Sequence, residues 1–146
     1  MLLRLGTVGF HRVAMQPGMP QGFGVIGPDR TPVFGLPGNP VSALVSFEAF
    51  VRPALRRMIG APVVTRPVIS AVTSADLSSP PGKRSFLRVR LEVKDGAYVV
   101  TPVSGTGSHL VAGLARANAF AVVPEDVERV AAGQPVQVMV LERRSS

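Results

Sequence analysis

Ser85 to Lys94, followed by Asp95-Gly96, constrains this chain more than any other stretch. Leu87, Val89, Leu91 and Val93 alternate with Phe86, Arg88, Arg90, Glu92 and Lys94, so an extended backbone puts the aliphatic residues on one face. A helix would scatter them around its circumference, and the period of two predicts a half-buried strand. Asp-Gly supplies the positive φ angles of a tight hairpin, and Ala97 to Val103 reads as the returning strand. Pro67 to Val72, Ala119 to Val123 and Pro135 to Leu141 are further strand candidates. Gly105-Thr106-Gly107-Ser108 leads into a short helix candidate, His109 to Ala117, with Ser108 as its cap. Several short strands with one small helix predict a compact barrel or sandwich.

The residues before Met58-Ile59-Gly60-Ala61-Pro62 follow another pattern, and a domain boundary is expected there, dividing 1–62 from 63–146. His11 to Met15 is a strand candidate, Gln16 to Pro20 a turn, and Gly22 to Ile26 with Thr31 to Leu36 a hairpin around Gly27-Pro28-Asp29-Arg30. Gly35-Leu36-Pro37-Gly38-Asn39-Pro40 then predicts a helix that starts at Pro40 with Asn39 as its cap. Leu44, Phe47, Val51, Leu55 and Met58 recur every three or four residues and predict its apolar stripe. Arg56 and Arg57 suit the negative end of the helix dipole, Gly60 ends it, and Pro53 should distort it.

Composition excludes several function classes. The chain has no cysteine, which removes disulfide frameworks, thiolate zinc sites and cysteine nucleophiles. The opening Met1 to Leu5 is too short for the apolar core of a signal peptide, and no apolar run reaches the ~18 residues of a membrane span. A cytoplasmic protein with no membrane partner is expected. The net charge of +7 raises nucleic-acid binding, but the basic residues are dispersed, pairs such as Lys83-Arg84 are the longest runs, and there is one Tyr and no Trp to stack on bases. A basic surface suited to small anions, or to solubility alone, is the simpler reading.

Three places can carry chemistry. The turn before Pro40 combines glycines with a helix start, where unpaired N–H groups attract phosphate or another small oxyanion, although the same residues also serve a plain helix entry. Gly105 to His109 repeats that pattern, with Ser108 and His109 as extra donors, and a solvent-facing loop explains it equally. Arg88 and Arg90 share the polar face of a strand and offer planar forks matched to oxyanions, while pairing with Glu92 is the duller account. His11 and His109 are too far apart in sequence to support a two-histidine metal site, and no nucleophile, base and orienter set stands out.

Taken in order, Arg12 to Pro20, Phe23-Gly24, Val33-Phe34-Gly35-Leu36-Pro37-Gly38-Asn39-Pro40-Val41-Ser42, Phe47 and Pro53 resemble the molybdopterin molybdenumtransferases, the family of bacterial MoeA and the gephyrin E domain. Arg84 to Val89, Gly107-Ser108-His109, Leu114 to Asn118 and Gly133 to Val136 extend the resemblance over nearly the whole chain. It implies the C-terminal portion of such a protein: the end of an α/β molybdopterin-binding domain, followed by a small mostly-β, barrel-like domain, with the active site in their cleft.

The family's substrates are adenylylated molybdopterin, a small-molecule pterin, and molybdate. With a magnesium ion, AMP leaves as molybdenum enters the dithiolene. By the resemblance, Pro37 and Pro40, with Gly38 and Asn39 between them, belong to the anion- and substrate-binding site, and Arg88 and Ser108 contribute from the final domain. Many members carry a Lys-Pro-Gly-Lys turn where this chain has Gln16 and Met19, and a family lysine falls on Arg12, which compensates in part. The acidic, glycine-rich stretch that helps hold magnesium has no counterpart here, and neither do the family's first two domains. This points to a fragment without activity of its own, to a homodimer in the full-length protein, or to a partner carrying the missing domains. The other class of function is a non-catalytic binding module that kept the fold.

Overall fold

The computed structural model describes residues 6–104 and 110–141. The chain forms two compact units, one of Met1–Val13 with Pro17–Thr65 and one of Ala14–Gln16 with Arg66–Ser146.

In the first unit β1 (Gly6–Arg12), β3 (Pro20–Ile26) and β4 (Thr31–Gly35) form an antiparallel sheet in the order β1-β3-β4. The first strand begins at Gly6, earlier than the His11 expected, because Gly6 to Arg12 pair in continuous register with Ile26 to Pro20. Phe23 stands opposite Phe34 across β3 and β4, their ring centroids 5.0 Å apart and tilted by 50°. After β4 the backbone turns into α1 (Pro40–Ser46), a π-helical segment (Phe47–Val51) and α2 (Arg52–Met58). The distortion expected at Pro53 takes the form of that π-helical segment, in which the Arg52 N–H donates to the Phe47 carbonyl five residues back.

The predicted stripe is not the buried face. Val41, Val45, Ser46 and Glu48 are buried, while Leu55 and Met58 are 47% and 63% exposed. The π-helical segment inserts one residue into the helical repeat, so spacings of three and four counted across it do not stay on one side. Glu48 lies 4.0 Å from Arg52. Gly60 stops the helix at φ 74°, with the Gly60 N–H on the Arg57 carbonyl and the Ala61 N–H on that of Arg56, a Schellman pattern.

The second unit is a closed barrel of five strands: β5 (Val68–Thr73), β7 (Arg84–Lys94), β8 (Ala97–Pro102), β9 (Ala119–Val123) and β11 (Pro135–Val140). Around the barrel β7 pairs with β8, β8 with β5 in parallel, β5 with β11, β11 with β9, and β9 closes onto β7. Two-residue strands complete it: β2 (Met15–Gln16) alongside β7, and β6 (Leu77–Ser78) paired with β10 (Arg129–Val130). One helix, α3 (Leu110–Arg116), precedes β9.

Val89, Leu91, Val100, Ala119, Ala121, Val123, Val136 and Val138 pack the barrel interior. Leu87, Val89 and Leu91 face that core as the alternation predicts, whereas Val93 is 50% exposed beside the hairpin tip. Asp95 and Gly96 have φ of 51° and 78°, the two left-handed residues of a type I′ turn.

Candidate functional site

The turn from β4 into α1 is held by Asn39, whose Oδ1 accepts from the Val41 N–H at 3.0 Å and the Ser42 N–H at 3.3 Å. The Asn39 backbone carbonyl accepts from Ala43, and Pro40 occupies the first turn, where its missing N–H costs nothing. The Asn39 side chain is therefore committed to the helix start. Pro37 is half-buried, and Gly38, Asn39 and Pro40 are exposed. A Cβ built on Gly38 would meet nothing within 4 Å, so within this chain that glycine leaves open space above the backbone.

Arg12, at the end of β1, is exposed and opens onto a cavity of about 290 Å³ that is also lined by Phe10, Pro20, Gly35 and Leu36. Arg12 and the residues entering the Pro37 turn thus border one concavity within the first unit. The Arg12 Nη2 donates to the Met19 Sδ at 3.5 Å. Thioether sulfur is a weak acceptor, which leaves the guanidinium fork available to a stronger anion. Gln21 braces this region by donating to the Gly18 carbonyl at 2.7 Å and the Ser46 hydroxyl at 2.6 Å.

In the barrel, Arg88 lies on β7 opposite Phe120 of β9, half-buried. A Cβ at Gly113 in α3 would stand 2.8 Å from the Arg88 Nη1, so the absence of a side chain there makes room for the guanidinium. Ser108 lies outside the described residues, as do Gly105 to Gly107 and His109, which carried the second glycine-loop expectation.

Two features were out of reach of the sequence. Arg90 meets the C-terminal end of α3, donating from Nη1 to the Arg116 carbonyl at 3.4 Å, across 26 residues of chain. Asn118 clamps Leu91 in both directions, accepting from its N–H at 2.7 Å and donating to its carbonyl at 3.0 Å. The run Leu114 to Asn118 gave a signal for importance through resemblance, but nothing in it indicated these partners. Among the described residues no group of three or more His, Asp or Glu side chains could hold a metal ion, and no helix is long and apolar enough to cross a membrane.

Two family models match in succession: residues 2–57 match the one described as "Probable molybdopterin binding domain", and residues 70–141 match the "MoeA C-terminal region (domain IV)". Molybdopterin molybdenumtransferase 2 of Mycobacterium tuberculosis is 52% identical over 131 residues, covering 90% of this chain and 31% of that protein. Molybdopterin molybdenumtransferase 1 of the same organism is 43% identical, covering 96% of this chain and 34% of its own length. Among solved structures, a molybdopterin biosynthesis MoeA protein from Pyrococcus horikoshii matches 97% of this chain and 34% of that one, with a TM-score of 0.80 and 34% identity. The chain spans about a third of the length of the relatives it matches.

Proposed function

We propose, from the premise that this chain belongs to the molybdopterin molybdenumtransferase (MoeA) family as its C-terminal portion, that it serves molybdenum cofactor biosynthesis by supplying substrate-binding residues to a molybdenum-inserting enzyme. The observation that carries this reading is the ordered pair of family matches, to a molybdopterin-binding domain and then to the MoeA C-terminal region. Residues 1–62 would act as the end of the pterin-binding domain and 63–146 as the final domain.

The substrates in this reading are adenylylated molybdopterin and molybdate, and AMP is released as molybdenum enters the dithiolene. Both reactants are anions, so the contribution of this chain is to bind and orient negative oxygens. Arg12 and the Pro37-Gly38-Asn39-Pro40 turn would do so in the first unit, and Arg88 and Ser108 in the second. A charge-assisted hydrogen bond contributes ~1.5 to 3 kcal/mol, so the replacement of two family lysines by Gln16 and Met19 leaves Arg12 with a larger share. Such catalysis is chiefly positioning and electrostatic stabilisation. Among the described residues no group of three or more His, Asp or Glu side chains could hold the magnesium ion that the family implies. A cytoplasmic location and a homodimer of the full-length protein accompany the proposal.

The test is a chimera in which this stretch replaces the corresponding third of the M. tuberculosis enzyme. Supplied with adenylylated molybdopterin, molybdate and magnesium, it should form molybdenum cofactor and release AMP in equal amounts. A folded chimera that does neither would defeat the proposal.

A second reading, a non-catalytic module that docks on a partner carrying the remaining domains, is favoured by the exposure of Phe10 and Phe23 in the first unit, 68% and 51%. Its test is whether the chain stays soluble alone or only when co-expressed with such a partner.

A further inference from the structure

Beside β7 and the C-terminal end of α3 lies an open cavity of about 470 Å³, lined by Arg90, Pro102, Val103, Ser104, Ala115 and Arg116. Both guanidinium groups are on exposed residues, and none of the described lining residues is acidic. Glu92 follows Arg90 on the same face of β7, but its carboxylate lies 3.7 Å from the Lys94 ammonium. Among the described residues neither Arg90 nor Arg116 is in a salt bridge.

Two arginines with no acidic partner among the described residues line one concavity, and an anion bound by both would offset the repulsion of their like charges. The opposing influence is the helix end, whose free carbonyls carry roughly half a negative charge, and the Arg90 Nη1 already occupies the Arg116 carbonyl. Two full positive charges outweigh that fraction. Each guanidinium offers a planar fork to oxyanion oxygens, and Ser104 adds a hydroxyl. Pro102, Val103 and Ala115 give the remaining wall an apolar character, which suits a ligand with a carbon-rich part beside its charge. The volume falls within the range of small-molecule sites.

We propose that this cavity is a binding site for the phosphate-monoester group of a small organic molecule, with Arg90 and Arg116 holding the dianion. Arg88 does not line it, and the proposal does not rest on the molybdenum-insertion reading.

The experiment titrates the 146-residue chain with phenyl phosphate, inorganic phosphate and benzoate, following backbone amide resonances. Phenyl phosphate should bind saturably, with the largest shifts at Ser104, Ala115 and Arg116, and about fivefold more tightly than inorganic phosphate because of the apolar wall. Arg116→Ala should weaken phenyl phosphate about tenfold and Arg116→Lys less, since one fork is lost in the first and one charge kept in the second. Arg57→Ala, in the first unit, should leave it unchanged. Arg116 is exposed, and its backbone carbonyl, which accepts from Arg90, is kept in any variant of its side chain, so its variants should fold even where Arg90→Ala does not. Equal affinity for inorganic phosphate would remove the organic part of the proposal. Absence of saturation, or Arg116→Ala binding as wild type does, would overturn it.

Discussion

Asn118 holds Leu91 by both of its backbone groups, continuing the β7–β9 ladder one step past the Val89–Ala119 pair by means of a side chain. The amide is the side chain that can donate and accept in this way, because a backbone peptide presents the same pair of groups. Asn118→Asp keeps the shape but cannot donate while ionised, which leaves the Leu91 carbonyl without that partner. It should destabilise the chain by about 1–3 kcal/mol, and Asn118→Ala should do so similarly. Urea unfolding measures this directly, and an unmoved midpoint would show that the clamp contributes nothing net.

Asn39 is the second polar side chain committed to backbone. Asn39→Ala should cost about 0.5–2 kcal/mol as the cap on Val41 and Ser42 is lost, while Asn39→Asp should retain most of it. The same pair separates structure from ligand binding. If Asn39 also faces a bound anion in the complete enzyme, Asn39→Asp should raise KM with little change in the unfolding midpoint.

Acid should weaken the barrel through two surface carboxylates. The Arg129 hydrogen bond, helped by the Ala132 N–H, holds the Asp76 pKa below its ordinary 3.8. Glu125 is held below its ordinary 4.5 by its own backbone N–H and by Arg84. Each folded pKa is depressed, so each contribution is present above the unfolded pKa and is lost as pH falls through the folded one. The unfolding midpoint should therefore decline as pH drops below about 4.5, and Asp76→Asn should flatten part of that decline. A parallel pH profile in wild type and variant would contradict the assignment to Asp76.

Gly113→Ala sets two effects against each other. Alanine favours a helix over glycine by about 0.5–1 kcal/mol, yet its Cβ would stand 2.8 Å from the Arg88 Nη1. The guanidinium is the far end of a flexible side chain and can move, so stability should change by less than about 1 kcal/mol. What should change is the position of Arg88, visible as a shift of its side-chain NεH resonance.

Legibility in the sequence followed the range of the interactions. The β7 hairpin and the start of α1 were readable because alternation, Asp95-Gly96 and Asn39-Pro40 act over a few residues. The helix face was misread because Val41, Val45 and Glu48 form a stripe one position off Leu44 and Phe47, and the π-helical Phe47–Val51 then shifts the repeat for Val51 and Leu55. The short strands β2, β6 and β10 escaped, since two residues carry no period and exist only through their distant partners. Of the candidate residues, the Pro37–Pro40 turn and Arg88 were marked by local pattern as well as by resemblance and Arg12 by resemblance alone, whereas the Arg90–Arg116 contact spans 26 residues and leaves no local mark.

The most direct test of the central claim is turnover of the M. tuberculosis chimera carrying Arg88→Ala, measured as molybdate-dependent AMP release from adenylylated molybdopterin. Loss of one charge-assisted anchor of ~1.5 to 3 kcal/mol corresponds to a fall of roughly tenfold or more in kcat/KM, with the unfolding midpoint little changed. Turnover equal to that of the unsubstituted chimera would contradict the placement of Arg88 in the substrate site.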